Sequence, residues 1–179
     1  PLSKNSAVTI INDSMWRKFY NANNVELNQW KTWNGILSLA ERYYEWSNGK
    51  ALIAIESLKD FIFAYSAQCL PVMIQTGNKE IKINTNKETL RAIWDFYYKG
   101  VVNGYILQTD NVVEALKNGE VAAYIGNPHD MSYFPDTYIN LDGEESSLLI
   151  SASSYPVVSE SRKVAPHGGT GVCVFDSGE

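Results

Sequence analysis

The sequence predicts an α/β layer fold in which a central sheet is flanked by helices. Two observations predict it. Short apolar runs of strand length alternate with helical patterns that carry their own start and stop residues. Strands separated in this way by helices pack as α/β layers. A third observation sets the scale: 179 residues, 45% apolar and 20% charged, make about one domain. A domain of that size buries roughly two-thirds of the surface its unfolded chain exposes, without staples.

In chain order, Val8-Thr9-Ile10-Ile11 reads as a short strand, and Asp13 is placed to cap a helix running towards Tyr20. After a loop over Asn21 to Asn24, Thr32 precedes a stripe of Trp33, Ile36, Leu37, Ala40, Tyr43 and Tyr44 at helical steps, stopped by Asn48-Gly49. Ala51 to Ile55 is a continuous apolar run suited to a central strand. Ser57-Leu58-Lys59-Asp60 approaches a capping box and opens a helix through Phe61, Ile62 and Tyr65, limited by Pro71. Ile81 and Ile83 alternate as a short strand. Thr85-Asn86-Lys87-Glu88 is a second capping box, followed by Leu90, Ile93, Trp94 and Tyr97 on one face and a stop at Gly100. Asp110 to Asn118 forms a short helix ended by Gly119. Val121 to Ile125 is a strand broken at Gly126-Asn127-Pro128. Leu148 to Ala152, Val157-Val158 and Val172 to Phe175 read as strands between Ser, Pro and Gly turns.

Charge and composition exclude several functions. Twenty acidic against fifteen basic residues give a net charge of −5, which does not suit a phosphate backbone. No run of about 18 uncharged apolar residues exists to insert in a membrane. Cys69 and Cys173 read as two small apolar thiols, with a single disulfide left open. The two histidines, His129 and His167, lack metal-ligand spacing, and no cofactor is expected. Gly168-Gly169-Thr170-Gly171 lacks the lysine and helix of a phosphate loop and reads as a tight turn into a strand. There is no nucleophile elbow. Paired carboxylates suit glycoside hydrolysis, with Glu56, Asp60, Asp130 and Asp136 as candidates, but no spacing selects two of them.

Aromatic residues are more informative: five Trp, eleven Tyr and six Phe. An aromatic surface covers the C–H face of a sugar ring while nearby Asp, Asn and Glu pair with hydroxyls. Trp33, Tyr43, Trp94 and Tyr97 lie on helical stripes and are expected in the core. Tyr65, His129, Tyr133 and Phe134 are open to either role.

The stretch Gly119-Glu120-Val121-Ala122-Ala123-Tyr124-Ile125-Gly126-Asn127-Pro128 resembles the extracellular solute-binding proteins of ABC transporters, the sugar-binding group that includes the maltose-binding protein. Trp30-Lys31-Thr32-Trp33-Asn34-Gly35-Ile36, Asn84 to Tyr98 and Met131-Ser132-Tyr133-Phe134-Pro135 continue the resemblance, which covers Val8 to Phe175. It implies one lobe of a type II periplasmic-binding-protein-like fold. Residues 1–179 are expected to form a single domain like the C-terminal lobe, with the N-terminal lobe and the closing C-terminal helices absent. A chain beginning Pro1-Leu2-Ser3, with no signal peptide, fits a processed or excised piece.

The resemblance also implies a function. This lobe is expected to bind a sugar or oligosaccharide without catalysis and, in the full-length protein, to deliver it to an ABC transporter permease. That protein is expected outside the cell or in the periplasm, anchored as a lipoprotein. Residues placed near the ligand are Asn127, His129, Asp130, Ser132 and Tyr133 in the loop, and Asp60, Phe61 and Tyr65 on the helix rim. His129 stands where the maltose-binding protein has a stacking tryptophan, so ligand identity does not carry over. A fragment of a carbohydrate-active hydrolase using two carboxylates is the alternative.

Overall fold

The computed structural model describes residues 3–70, 74–77, 80–83 and 86–171. Its elements in order are β1 (Ser3–Ser6), β2 (Val8–Asn12), α1 (Asp13–Asn23), a 3₁₀ turn (Leu27–Lys31), α2 (Trp33–Trp46), β3 (Ala51–Ile55) and α3 (Leu58–Cys69). The hairpin β4 (Ile74–Gly77) and β5 (Glu80–Ile83) leads to α4 (Lys87–Tyr97), which runs on as a π turn (Tyr98–Val102). Then come β6 (Ile106–Gln108), α5 (Val112–Lys117), β7 (Val121–Gly126), a 3₁₀ turn (Pro128–Tyr133), β8 (Thr137–Ile139), β9 (Glu145–Ser147), β10 (Ile150–Ser154) and β11 (His167–Thr170).

The α/β architecture is as expected. Five strands form a mixed sheet in the order β10-β2-β7-β3-β6. β3 runs parallel to both β6 and β7, whereas β2 runs antiparallel to β7 and β10. All five residues of β3 are buried, as its unbroken apolar run requires of a strand covered on both faces. Outside this sheet, β1 pairs with β11 as a two-stranded ribbon, and β8 pairs with β9.

Two aromatic clusters fill the core. Trp16, Trp30, Phe19, Tyr43 and Trp46 pack edge-on or tilted at centroid distances of 4.9–5.6 Å. Trp33 meets Phe61, Phe96 and Tyr155 edge-on at 4.9, 5.3 and 5.4 Å, and Phe61 stacks on Phe96 at 4.8 Å. Such pairs add about 0.5–1.5 kcal/mol each beyond the area they bury. Gln68 of α3 is buried and fully engaged. Its Nε2 donates to the carbonyls of Pro156 (2.9 Å) and Val164 (2.7 Å), and its Oε1 accepts from Val158 N (2.9 Å). One side chain thereby pins the segment after Tyr155 to α3.

Several sequence expectations are corrected. Asn12, not Asp13, caps α1: its Oδ1 accepts from Met15 N at 3.0 Å, while Asp13 is the first helical residue and pairs with Arg17. Leu39 completes the buried face of α2, with Leu37 and Tyr44 only partly covered. Asn86 caps α4 by accepting from Thr89 N at 2.7 Å; Thr85 lies outside the described residues. The buried face of α4 is Thr89, Ile93 and Phe96, so Leu90 and Trp94 point outward, Trp94 with 58% exposure. Tyr97 is only partly buried. The stacking partner on α3 decides this orientation, because Phe96 has to reach Phe61 and Trp33. Gly100 lies buried in the π turn, and the chain leaves it at Asn103.

Gly119 does end α5. Its φ is +64°, and a Cβ there would collide with the carbonyl oxygen of Ile139. Val157 contributes a single bridge to Thr32 rather than a strand, and the last strand of the main sheet starts at Ile150 rather than Leu148. His167 to Thr170 lies within a strand instead of forming a turn before one. Pro71, Asn84, Cys173 and the run Val172 to Phe175 lie outside the described residues. Cys69 is an exposed free thiol.

Candidate functional site

Strand register brings four distant segments to one end of the sheet. β3 and β7 run parallel with Ile55 opposite Ile125, so Glu56-Ser57 and Gly126-Asn127 leave the sheet side by side. β2 is antiparallel and begins with Val8 opposite Gly126, which places Ser6 and Ala7 at the same end. β10 finishes with Ser154 opposite Val8, adding Tyr155. In open α/β sheets ligands bind beyond the carboxyl ends of parallel strands. Here that position holds an open cleft of about 250 Å³.

One wall of the cleft is aromatic. Trp33, Phe61 and Tyr155 line it while remaining 94% or more buried, so the aromatic core cluster extends to the cleft surface. The indole Nε1 of Trp33 is buried and finds no acceptor among the described residues. An unpaired buried donor costs about 1–3 kcal/mol, and Trp30 Nε1 and Asn12 Nδ2, outside the cleft lining, are left unpaired in the same way among the described residues. Burial raises the Tyr155 phenol above its ordinary pKa, and the negative charge of Asp60 adds to this, so Tyr155 presents a neutral hydroxyl group.

A second wall is the start of α3. Ser57 caps the helix, its hydroxyl oxygen accepting from Asp60 N at 3.1 Å. Glu56 and Asp60 are both exposed and both line the cleft. Asp60 complements the positive end of the helix, and Lys59 Nζ lies 3.8 Å from its Oδ1. On the far side stand Asn5 and His167 of the β1–β11 ribbon, whose His167 Nδ1 is 3.4 Å from the carbonyl oxygen of Asn5. An adjoining cleft of about 510 Å³ shares Ser6, Ala7, Tyr155 and His167 and is also lined by Lys31, Glu160 and Lys163.

The turn after β7 is arranged differently. Asn127 caps it, Oδ1 accepting from His129 N at 3.0 Å. Asp130 Oδ2 accepts from Asn127 N at 3.1 Å and from the Tyr124 hydroxyl at 3.3 Å. Gly126 makes the second contact feasible, because any Cβ there would strike the Tyr124 ring. The Tyr124 phenol is pushed well above its ordinary range, first by burial, then by the charge and hydrogen bond of Asp130, then by Glu56. His129 Nε2 and Tyr133 Oη lie 3.0 Å apart, with their rings edge-on at 5.2 Å.

Of the residues singled out in the sequence, Asp60, Phe61 and Asn127 line the cleft. Tyr65 is buried behind Phe61 at 5.6 Å, its phenol raised by burial and by Cys69. Asp130 is committed to the turn's internal hydrogen bonds, and His129, Ser132 and Tyr133 are exposed on the turn, outside the cleft lining. Glu56, one of the candidate carboxylates, also lines the cleft, and the structure adds Trp33, Tyr155, Asn5 and His167. For Trp33, periodicity predicted burial and said nothing of the orphan N–H. Tyr155 and Asn5 carried no local signal, since only strand register brings them there.

A family model for bacterial extracellular solute-binding proteins matches residues 1–177. No curated protein matches the chain. Among solved structures, maltose-bound MalE3 of T. maritima superposes with a TM-score of 0.68 at 13% identity, over 94% of this chain and 43% of that one. The GacH receptor of Streptomyces glaucescens GLA.O, solved unliganded and with acarbose and an acarbose homolog, gives 0.66 at 14% identity, over 94% and 42%. UgpB from Mycobacterium tuberculosis, in complex with glycerophosphocholine, gives 0.66 at 10% identity, over 94% and 40%. At these identities the likeness is one of fold. The chain spans about two-fifths of the length of each of these proteins.

Proposed function

Because this chain belongs to the bacterial extracellular solute-binding proteins, we propose that it forms the substrate-binding lobe of a two-lobe receptor. That receptor captures a sugar or oligosaccharide and delivers it to an ABC transporter permease. The lobe acts by binding, without catalysis. Its fold neighbours were solved with maltose, with acarbose and with glycerophosphocholine, two of them sugars. A lipoprotein anchor on the complete receptor belongs to the same proposal. No helix among the described residues is long and apolar enough to cross a membrane.

One observation carries the reading: beyond the ends of β3 and β7 lies a cleft where an aromatic wall with an unsatisfied indole N–H meets carboxylates and an amide. A sugar has the matching chemistry, apolar C–H faces for the rings and hydroxyls for Glu56, Asp60, Asn127 and the indole. We place the principal contacts on these residues with Phe61 and Tyr155. Tyr65 and Asp130 support the walls. The exposed His129, Ser132 and Tyr133 meet only a longer ligand that extends over the turn. Closure of two lobes over the solute makes affinity a sum over both, so a lone lobe binds weakly.

Isothermal titration of a two-lobe protein carrying this chain, and of the chain alone, against mono- and oligosaccharides tests the reading. Tight binding by the two-lobe protein and weak binding by the chain is the expected result. Turnover of any sugar would replace binding with hydrolysis.

A further inference from the structure

We infer that the wall this chain contributes to the cleft holds a positively charged group, an ammonium on a hydroxyl-rich solute, with the Glu56 carboxylate as its counter-ion. The inference rests on the solute-binding reading and adds the charge of the solute to it.

Glu56 and Asp60 both line the cleft, and among the described residues no Lys or Arg does. Among the described residues, His167 is the one basic side chain there. Of the lysines of the adjoining cleft, Lys163 is held by Glu160 at 2.9 Å, and the charge of Lys31 also acts on Glu160. The two carboxylates differ in what they already do. Asp60 answers the positive end of α3 and has Lys59 Nζ at 3.8 Å. No ion pair holds Glu56 among the described residues, although its charge is felt by the buried Tyr124 phenol. Asp130, just behind Gly126, adds a third negative group to that end of the sheet.

A phosphate or carboxylate on the solute would meet this field unpaired. A neutral sugar donates hydroxyls to these carboxylates but gains no ion pair from them. An ammonium gains a counter-ion in Glu56. The orphan indole N–H of Trp33 is a donor and takes a hydroxyl oxygen from the body of the same solute.

The test is a titration of the ¹⁵N-labelled chain with glucosamine hydrochloride at about pH 6.5, where the amine is protonated. N-acetylglucosamine and glucose 6-phosphate at matched ionic strength run beside it. Glucosamine is expected to move the amides of residues 55–61 and the Trp33 indole resonance, and to bind about fivefold tighter than the N-acetyl compound, as an exposed ion pair allows. Glu56→Gln, at an exposed position, should remove that preference, and added salt should shrink it. Equal or tighter binding of N-acetylglucosamine or glucose 6-phosphate overturns the charge assignment and leaves the solute-binding reading standing. Absence of any perturbation at the cleft with all three overturns both.

Discussion

Two polar segments leave the sheet next to each other, and they use their side chains in opposite ways. In the turn after β7, Asn127, His129, Asp130, Tyr133 and the hydroxyl of Tyr124 bond to one another. At the start of α3, Ser57 takes the capping role alone, and the carboxylates of Glu56 and Asp60 stay on the cleft surface. The first segment is a brace; the second leaves its carboxylates open to the cleft. Polar residues at the end of a parallel strand are therefore poor guides to a binding site until their partners are known.

The sharpest way to break this contrast is at the wall between the two. Trp33→Ala empties a site shared by Phe61, Phe96 and Tyr155, and should cost about 3–5 kcal/mol in denaturant unfolding. Trp33→Phe leaves a smaller cavity than Trp33→Ala and removes the orphan N–H. Its stability should stay within about 1.5 kcal/mol of the parent, while sugar binding weakens. A stable Trp33→Phe variant with undiminished binding would remove the indole from the site.

Next in size is the brace. Asp130→Ala strips the partner from both Asn127 N and the Tyr124 hydroxyl and should cost about 1–3 kcal/mol by thermal unfolding. His129→Ala, in the same turn but exposed, should change stability by about 0.5 kcal/mol or less. Equal losses from the two substitutions would contradict the division of labour within the turn.

Alkaline titration tests the aromatic walls. The phenols of Tyr43, Tyr124 and Tyr155 are all raised by burial above their ordinary value of about 10. Their folded-state pKa values exceed the unfolded ones, so the stability they contribute is complete below about pH 10 and is lost as pH rises through the folded values. Tyrosinate absorbance from these three should appear together with unfolding. The smallest effect belongs to the start of α3: Glu56→Gln and Asp60→Asn should each change stability by about 0.5 kcal/mol or less, while altering solute binding.

How much of this was legible in the sequence follows from what each feature depends on. β3 and β7 were readable because unbroken apolar runs bounded by Gly, Asn and Ser have few other uses. The cap at Ser57 was readable because one hydroxyl and one amide three residues on suffice, and it forms. Trp94 was not, because α4 carries two apolar stripes of similar quality. Leu90, Trp94 and Tyr98 are spaced as regularly as Thr89, Ile93 and Phe96, and only Phe61 and Trp33 on other elements select the second set. The β1–β11 ribbon joins residues such as Lys4 and Gly169, whose pairing leaves no local trace. The cleft suffers from the same problem, since Asn5, Glu56, Asn127 and Tyr155 meet only through register. The sequence named Asp60, Phe61 and Asn127, which line the cleft, together with His129, Ser132 and Tyr133, which lie on the turn outside it.

The measurement that tests this account most directly is a resonance map of the chain titrated with maltose. The account predicts that the Trp33 indole and the amides of residues 55–61 move first and furthest, with residues 129–133 nearly still. Movement confined to residues 129–133, with the Trp33 indole unchanged, would contradict it.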